Sequence, residues 1–136
     1  MKRRVLVVED NAANLELLCD WLELEGHQPL VATGLKAAME VIAGEKPEVV
    51  LLDVQLGEED GLHLAEWIRR EPAFLHLPVI AVTAHALIAE RERILHSGCN
   101  AFVAKPLDFK LLREKLALWL RTSTKVEKAG QRGFRR

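Results

Sequence analysis

Apolar runs in this 136-residue chain end repeatedly in groups that handle phosphate or metal. Val5-Leu6-Val7-Val8 ends in Glu9-Asp10, and Val49-Val50-Leu51-Leu52 ends in Asp53. Val79-Ile80-Ala81-Val82 ends in Thr83, and Ala101-Phe102-Val103-Ala104 ends in Lys105-Pro106. Three carboxylates brought to one place repel one another, and a divalent cation relieves that repulsion. Oxygen-only ligands suit a hard ion, so Mg²⁺ or Mn²⁺ is expected rather than zinc. Such an ion neutralises the oxygens of a phosphoryl group, while the ammonium of Lys105 and the hydroxyl of Thr83 take up the remaining charge. The chemistry implied is phosphoryl transfer. The chain has no GxxxxGK[ST] loop and no GxGxxG fingerprint, so the phosphoryl group is expected from a partner or a small donor, not from a cradled nucleotide.

These groups converge only if the runs lie side by side. Runs this apolar suit strands covered on both faces, and in open parallel sheets ligands bind beyond the carboxyl ends of the strands. Stretches of helical period separate the runs. Leu15, Leu18 and Leu22 mark a first helix stopped near Gly26; Leu35, Ala38, Met39 and Ile42 mark a second that ends near Gly44, before Pro47. Between these two lies a short strand near Pro29 to Ala32. Leu62, Ala65 and Ile68 give a third helix stopped around Pro72. A fourth, over about 87–96, has a weak apolar face in which Arg91 interrupts Leu87, Ile88, Ile94 and Leu95, and Gly98 ends it. Phe109, Leu112, Leu116 and Trp119 form a clear fifth stripe, with Asp108 at its N-cap. The alternation predicts an α/β fold: a doubly wound, five-stranded parallel sheet with helices on both faces. Residues 1–121 form this domain, and 122–136, polar and basic, are expected to be a disordered tail.

Composition limits the alternatives. The hydrophobic content of 49% is enough for one sizeable core, and 19 basic against 20 acidic side chains leave a formal charge of −1. That balance argues against nucleic-acid binding through bulk positive charge. No stretch approaches the ~20 apolar residues of a membrane span, so no membrane contact and a cytoplasmic location are expected. Cys19 and Cys99 form no CxxC pair, and the histidines show no HExxH spacing, so free thiols and no zinc site are expected. Trp21, Trp67 and Trp119 fall on predicted helices as packing residues.

Val5 to Asp10, Asp53 with the loop to Asp60-Gly61, Thr83-Ala84 and Lys105-Pro106 resemble the receiver domain of two-component response regulators, over roughly Arg4 to Leu120. Asp10-Asn11 and Gly98-Cys99-Asn100-Ala101-Phe102 are further similar to single-domain cell-cycle regulators and to receivers of hybrid histidine kinases. The resemblance implies a flavodoxin-like (βα)5 fold with strand order 2-1-3-4-5. It implies that Asp53 is phosphorylated by attack on a phosphohistidine, and that Mg²⁺ is held by Asp10, Asp53 and the backbone carbonyl of Gln55, with Glu9 acting through a metal-bound water. Lys105 and Thr83 would bind the phosphoryl group, Pro106 would follow a cis peptide bond, and Phe102 would be the aromatic switch that responds to Thr83. Gln55 and His85 would tune loss of the phosphate by autodephosphorylation. The implied partners are a sensor histidine kinase or histidine phosphotransfer protein and an output protein that reads the face of the fourth helix, fifth strand and fifth helix; a phosphorylation-dependent dimer is a further expectation.

One departure from the family pattern is Gly57, where members often carry proline. Glycine permits more backbone conformations, so a more mobile loop and slightly weaker metal binding at Gln55 are expected. The nearest enzymatic rival, a haloacid-dehalogenase-type phosphatase, requires an acid two residues after the nucleophile, and Gln55 stands there. A flavodoxin-like cofactor binder shares the fold, but this chain offers acidic loops and no tyrosine. A degenerate receiver used only for docking would not need the complete set of acids, lysine and threonine.

Overall fold

The computed structural model of the protein describes residues 2–134, with side chains as far as Arg121; the expected tail, 122–136, lies outside the described side chains. The chain alternates β1 (Arg4–Val8), α1 (Ala12–Leu24), β2 (Gln28–Ala32), α2 (Leu35–Glu45), β3 (Val49–Asp53), α3 (Leu62–Arg70), β4 (Val79–Thr83), α4 (Ile88–His96), β5 (Ala101–Ala104) and α5 (Phe109–Phe134). The strands form one parallel sheet in the order β2-β1-β3-β4-β5, the doubly wound arrangement that the alternation predicts.

Strand alternation divides the core in two. Leu6, Val8, Val50, Leu52, Val79 and Ala81 pack with Ile42, Leu64, Ile68 and Ile94 of α2, α3 and α4. Val5, Val7, Val49, Leu51, Ile80 and Val82 face the other way, against Leu18, Leu22, Leu112 and Leu116 of α1 and α5. Each buried leucine or isoleucine contributes ~1.5–3 kcal/mol by leaving water. Because both faces are covered, β1, β3 and β4 read as continuous apolar runs.

Local chemistry sets several helix ends. The Asn11 side chain accepts a hydrogen bond from Asn14 N–H at the start of α1, at 3.0 Å, and Gly26 follows its end at φ +86°. Asp108 Oδ1 accepts from Lys110 N–H and Leu111 N–H at the start of α5, as its sequence position predicts. α2 ends at Glu45, next to Gly44 where its end is expected, and the left-handed cap residue is Lys46 at φ 49°. The Arg4 guanidinium donates to the carbonyls of Glu45 and Lys46 at 2.9–3.2 Å, satisfying acceptors that a helix end leaves open. α4 is as weakly anchored as its sequence predicts: Ile94 is its fully buried side chain, while Leu87, Ile88 and Leu95 are exposed.

Candidate functional site

Register assembles the site. Val8 pairs with Leu52 and Asp53 with Val82, so Glu9 and Asp10 leave β1 beside the end of β3. Thr83 pairs with Ala104, which places Lys105 one residue beyond the edge. Lys105 Nζ lies 3.0 Å from Asp53 Oδ2 and 3.9 Å from Glu9 Oε1. The other Asp53 oxygen accepts a hydrogen bond from Gln55 N–H at 3.0 Å. The peptide bond between Lys105 and Pro106 is cis.

The carboxylates sit in unlike surroundings. Glu9 and Asp53 are buried and Asp10 is exposed, yet one oxygen from each lies within 4.8 Å of the others. Asn14 Nδ2 donates to Glu9 Oε1 at 2.8 Å, and Glu9 Oε2 is buried with no hydrogen-bond partner. Burial above all, and then the Asp53 carboxylate beside it, push the Glu9 carboxyl up from 4.5 to about 7. A buried, unpartnered acceptor among three converging carboxylates fits a hard divalent cation, which would supply the charge that this group of oxygens lacks. Glu9, Asp10 and Asp53 are the carboxylates that could hold such an ion, and Gln55 lines the same cavity.

Thr83 is buried on the Val79-Ala81 side of β4, and its hydroxyl accepts from His85 N–H at 3.0 Å. Phe102 is half-buried against the same core layer, with the Arg91 guanidinium 5.5 Å above its ring centroid. The two sequence-predicted switch residues thus share one side of the sheet, under α4. His85 and Gln55 are exposed and line the same cavity, whose volume is about 580 Å³.

The loop after Asp53 carries regular structure of its own. Gln55–Leu56 and Glu59–Asp60 pair as a tiny antiparallel hairpin, turned by Gly57 at φ +60°. Glycine in first place is what a two-residue connection of this kind requires, and proline cannot take that angle. A Cβ on Gly61 would overlap the Asp53 carbonyl oxygen, so the glycine lets this loop return against the strand end. Asp60 of the Asp60-Gly61 motif also reaches the cavity, as do Asn14, Glu90 and Arg93, which the sequence did not single out. Asn14 had a usable signal, a polar residue in the helical turn nearest the strand ends; Arg93 had none.

A parallel sheet presenting buried acids, a lysine and a threonine at its carboxyl edge defines a doubly wound α/β domain with a charged site beyond its strand ends. Residues 5–117 match the model of the response regulator receiver domain, and the chain belongs to that family. It is 33% identical over 120 residues to the polar-differentiation response regulator DivK of Brucella anthropi, covering 88% of this chain and 98% of that one. Among solved structures, the CheY-like response regulator receiver domain protein of Methanospirillum hungatei superposes with a TM-score of 0.83 at 26% identity, over 92% of this chain and 98% of the other. The BeF3-activated N-terminal receiver domain of Klebsiella pneumoniae RstA gives 0.80 at 28%, over 88% and 99%. The protein is a receiver domain of two-component signalling, a family that takes phosphoryl groups from histidine kinases or phosphotransfer proteins. Among the described residues, no helix is long and apolar enough to cross a membrane.

Proposed function

We propose that the protein accepts a phosphoryl group on Asp53 from the phosphohistidine of a sensor kinase or histidine phosphotransfer protein. The carrying observation is the state of the Asp53 carboxylate: buried, 3.0 Å from Lys105 Nζ, and clustered with Glu9 and Asp10. An Asp53 oxygen forms the new O–P bond as the P–N bond to the donor histidine breaks, and the electron pair leaves with the imidazole. Glu9, Asp10, Asp53 and Gln55 would hold Mg²⁺, which when bound neutralises phosphoryl oxygens as charge shifts between donor and acceptor. Lys105 offers its ammonium to the same oxygens, replacing its contact with Asp53 by one with the transferred group.

The signal then passes through Thr83. Phosphoryl oxygens on Asp53 attract the Thr83 hydroxyl away from the backbone of His85, and the space vacated favours an inward rotamer of half-buried Phe102. This shifts the population of the α4–β5–α5 face, which the output protein or a second copy of the chain reads. Incubation with acetyl phosphate and Mg²⁺ followed by intact mass should show one added phosphoryl group, absent in Asp53→Asn. Retention of the full mass shift in that variant refutes the assignment.

A further inference from the structure

α4 touches the acceptor site twice. Its N-terminus continues from Thr83 and His85 through the backbone, and Arg93, in its middle, reaches across to the hairpin after Asp53. Arg93 Nη1 donates to Asp60 Oδ2 at 2.6 Å, while Nε and Nη2 grip both oxygens of Glu90 at 3.2 Å, one turn earlier on the same helix. Asp60 is the hairpin partner of Gln55, whose N–H donates to Asp53 Oδ1. On its far side the hairpin is tied to α2 by Glu59 Oε1, which accepts from Leu35 N–H at 3.2 Å where Gly34 offers no side-chain cap. The loop that carries Gln55 is therefore braced between α2 and α4, and its brace on α4 is Arg93.

We propose that Arg93 is a positioning residue for the phosphoacceptor loop, latching it to α4 through Asp60, so that the order of the metal-binding loop and the position of the output helix depend on one another. This rests on the phosphoacceptor reading of Asp53. Arg93 touches no reacting atom; it acts through Asp60 and the Gln55 backbone. The weak anchoring of α4, with Ile94 as its buried side chain, makes an exposed ion pair matter here more than on a well-buried helix. Coupling of this kind is reciprocal: a partner that holds α4 in the latched position raises metal affinity by the factor by which metal favours that position.

The test uses Asp60→Asn, Arg93→Gln and Arg93→Lys in the full chain. Asparagine at position 60 keeps the oxygen that accepts from Leu62 N–H at the start of α3, so it removes the ion pair and spares the helix cap. Arg93→Gln and Asp60→Asn should each raise the Mg²⁺ Kd, measured by calorimetry at low salt, by about two- to fivefold. The double variant should be no worse than either single one, and Arg93→Lys should recover most of the affinity. Arg93→Gln should also speed amide exchange at Gln55 to Asp60 with an unchanged thermal midpoint, an effect a merely structural role would not produce. Normal Mg²⁺ binding and exchange in Arg93→Gln, beside wild-type protein that takes up phosphate on Asp53, overturns the latch and leaves the phosphoacceptor reading standing. Wild-type protein that neither binds Mg²⁺ nor gains a phosphoryl group overturns both.

Discussion

In metal-free solution, burial of Glu9 should make the domain less stable as pH rises. The Glu9 carboxyl is 3% exposed and its pKa is raised from 4.5 to about 7, so between those values the folded state binds a proton that the unfolded chain releases. A group shifted in this sense favours folding fully below the unfolded value, and that contribution is lost as pH climbs through the folded one. At ~1.4 kcal/mol for each tenfold difference in proton affinity, the loss is on the order of 3 kcal/mol between pH 4.5 and 8. A domain of this size should lose ~3–5 °C of thermal midpoint per kcal/mol. Glu9→Gln retains an oxygen for Asn14 to donate to and has no proton to lose. In EDTA, the midpoint of wild type minus that of Glu9→Gln, followed by circular dichroism from pH 5 to 8, should therefore fall by roughly 10 °C. Taking the difference cancels the histidines, including His27, whose pKa burial lowers. Saturating Mg²⁺ should remove most of the fall, because binding to the folded state offsets the cost of the ionised carboxylate. A difference that stays flat or rises with pH refutes the account of Glu9 as a buried acid held for a cation.

Lys105→Met should leave Asp53 and Glu9 without their shared cation, lower stability in EDTA by ~1–3 kcal/mol in urea titrations, and slow phosphorylation; unchanged phosphorylation would remove Lys105 from the mechanism. Arg69→Gln removes donors to Gly98 O and Leu77 O at 2.8 Å and to Asn100 Oδ1 at 2.6 Å, the strut between α3 and the segment before β5. It should cost ~2–4 kcal/mol, read from the urea midpoint at constant m. Gly61→Ala should displace the end of β3 and weaken Mg²⁺ binding measured by calorimetry, whereas Gly44→Ala, with open space at its Cβ, should not.

The type of every strand-end group, and the strands and helices that carry them, were legible in the chain because those signals are local. Continuous apolar runs mark strands with two covered faces, leucine spacing marks helix stripes, and Asp108 and Gly26 mark helix ends. Even the faint stripe of α4, whose Leu87, Ile88 and Leu95 are exposed, is legible along the chain. Tertiary structure alone decided what those groups meet. That Glu9 rather than Asp10 is the buried acid depends on where β1 ends relative to the register of β3, which no residue of either strand encodes by itself. The hairpin at Gly57 could be anticipated as a turn, but its bracing by Glu59 on α2 and by Arg93 on α4 joins residues far apart in sequence. Such contacts follow from how helices pack on a twisted sheet and which rotamers that packing leaves open. A charged residue on a half-exposed helix carries no local mark of the loop it will reach, so the chemistry of this site was readable along the chain while its coupling emerged only in the folded protein.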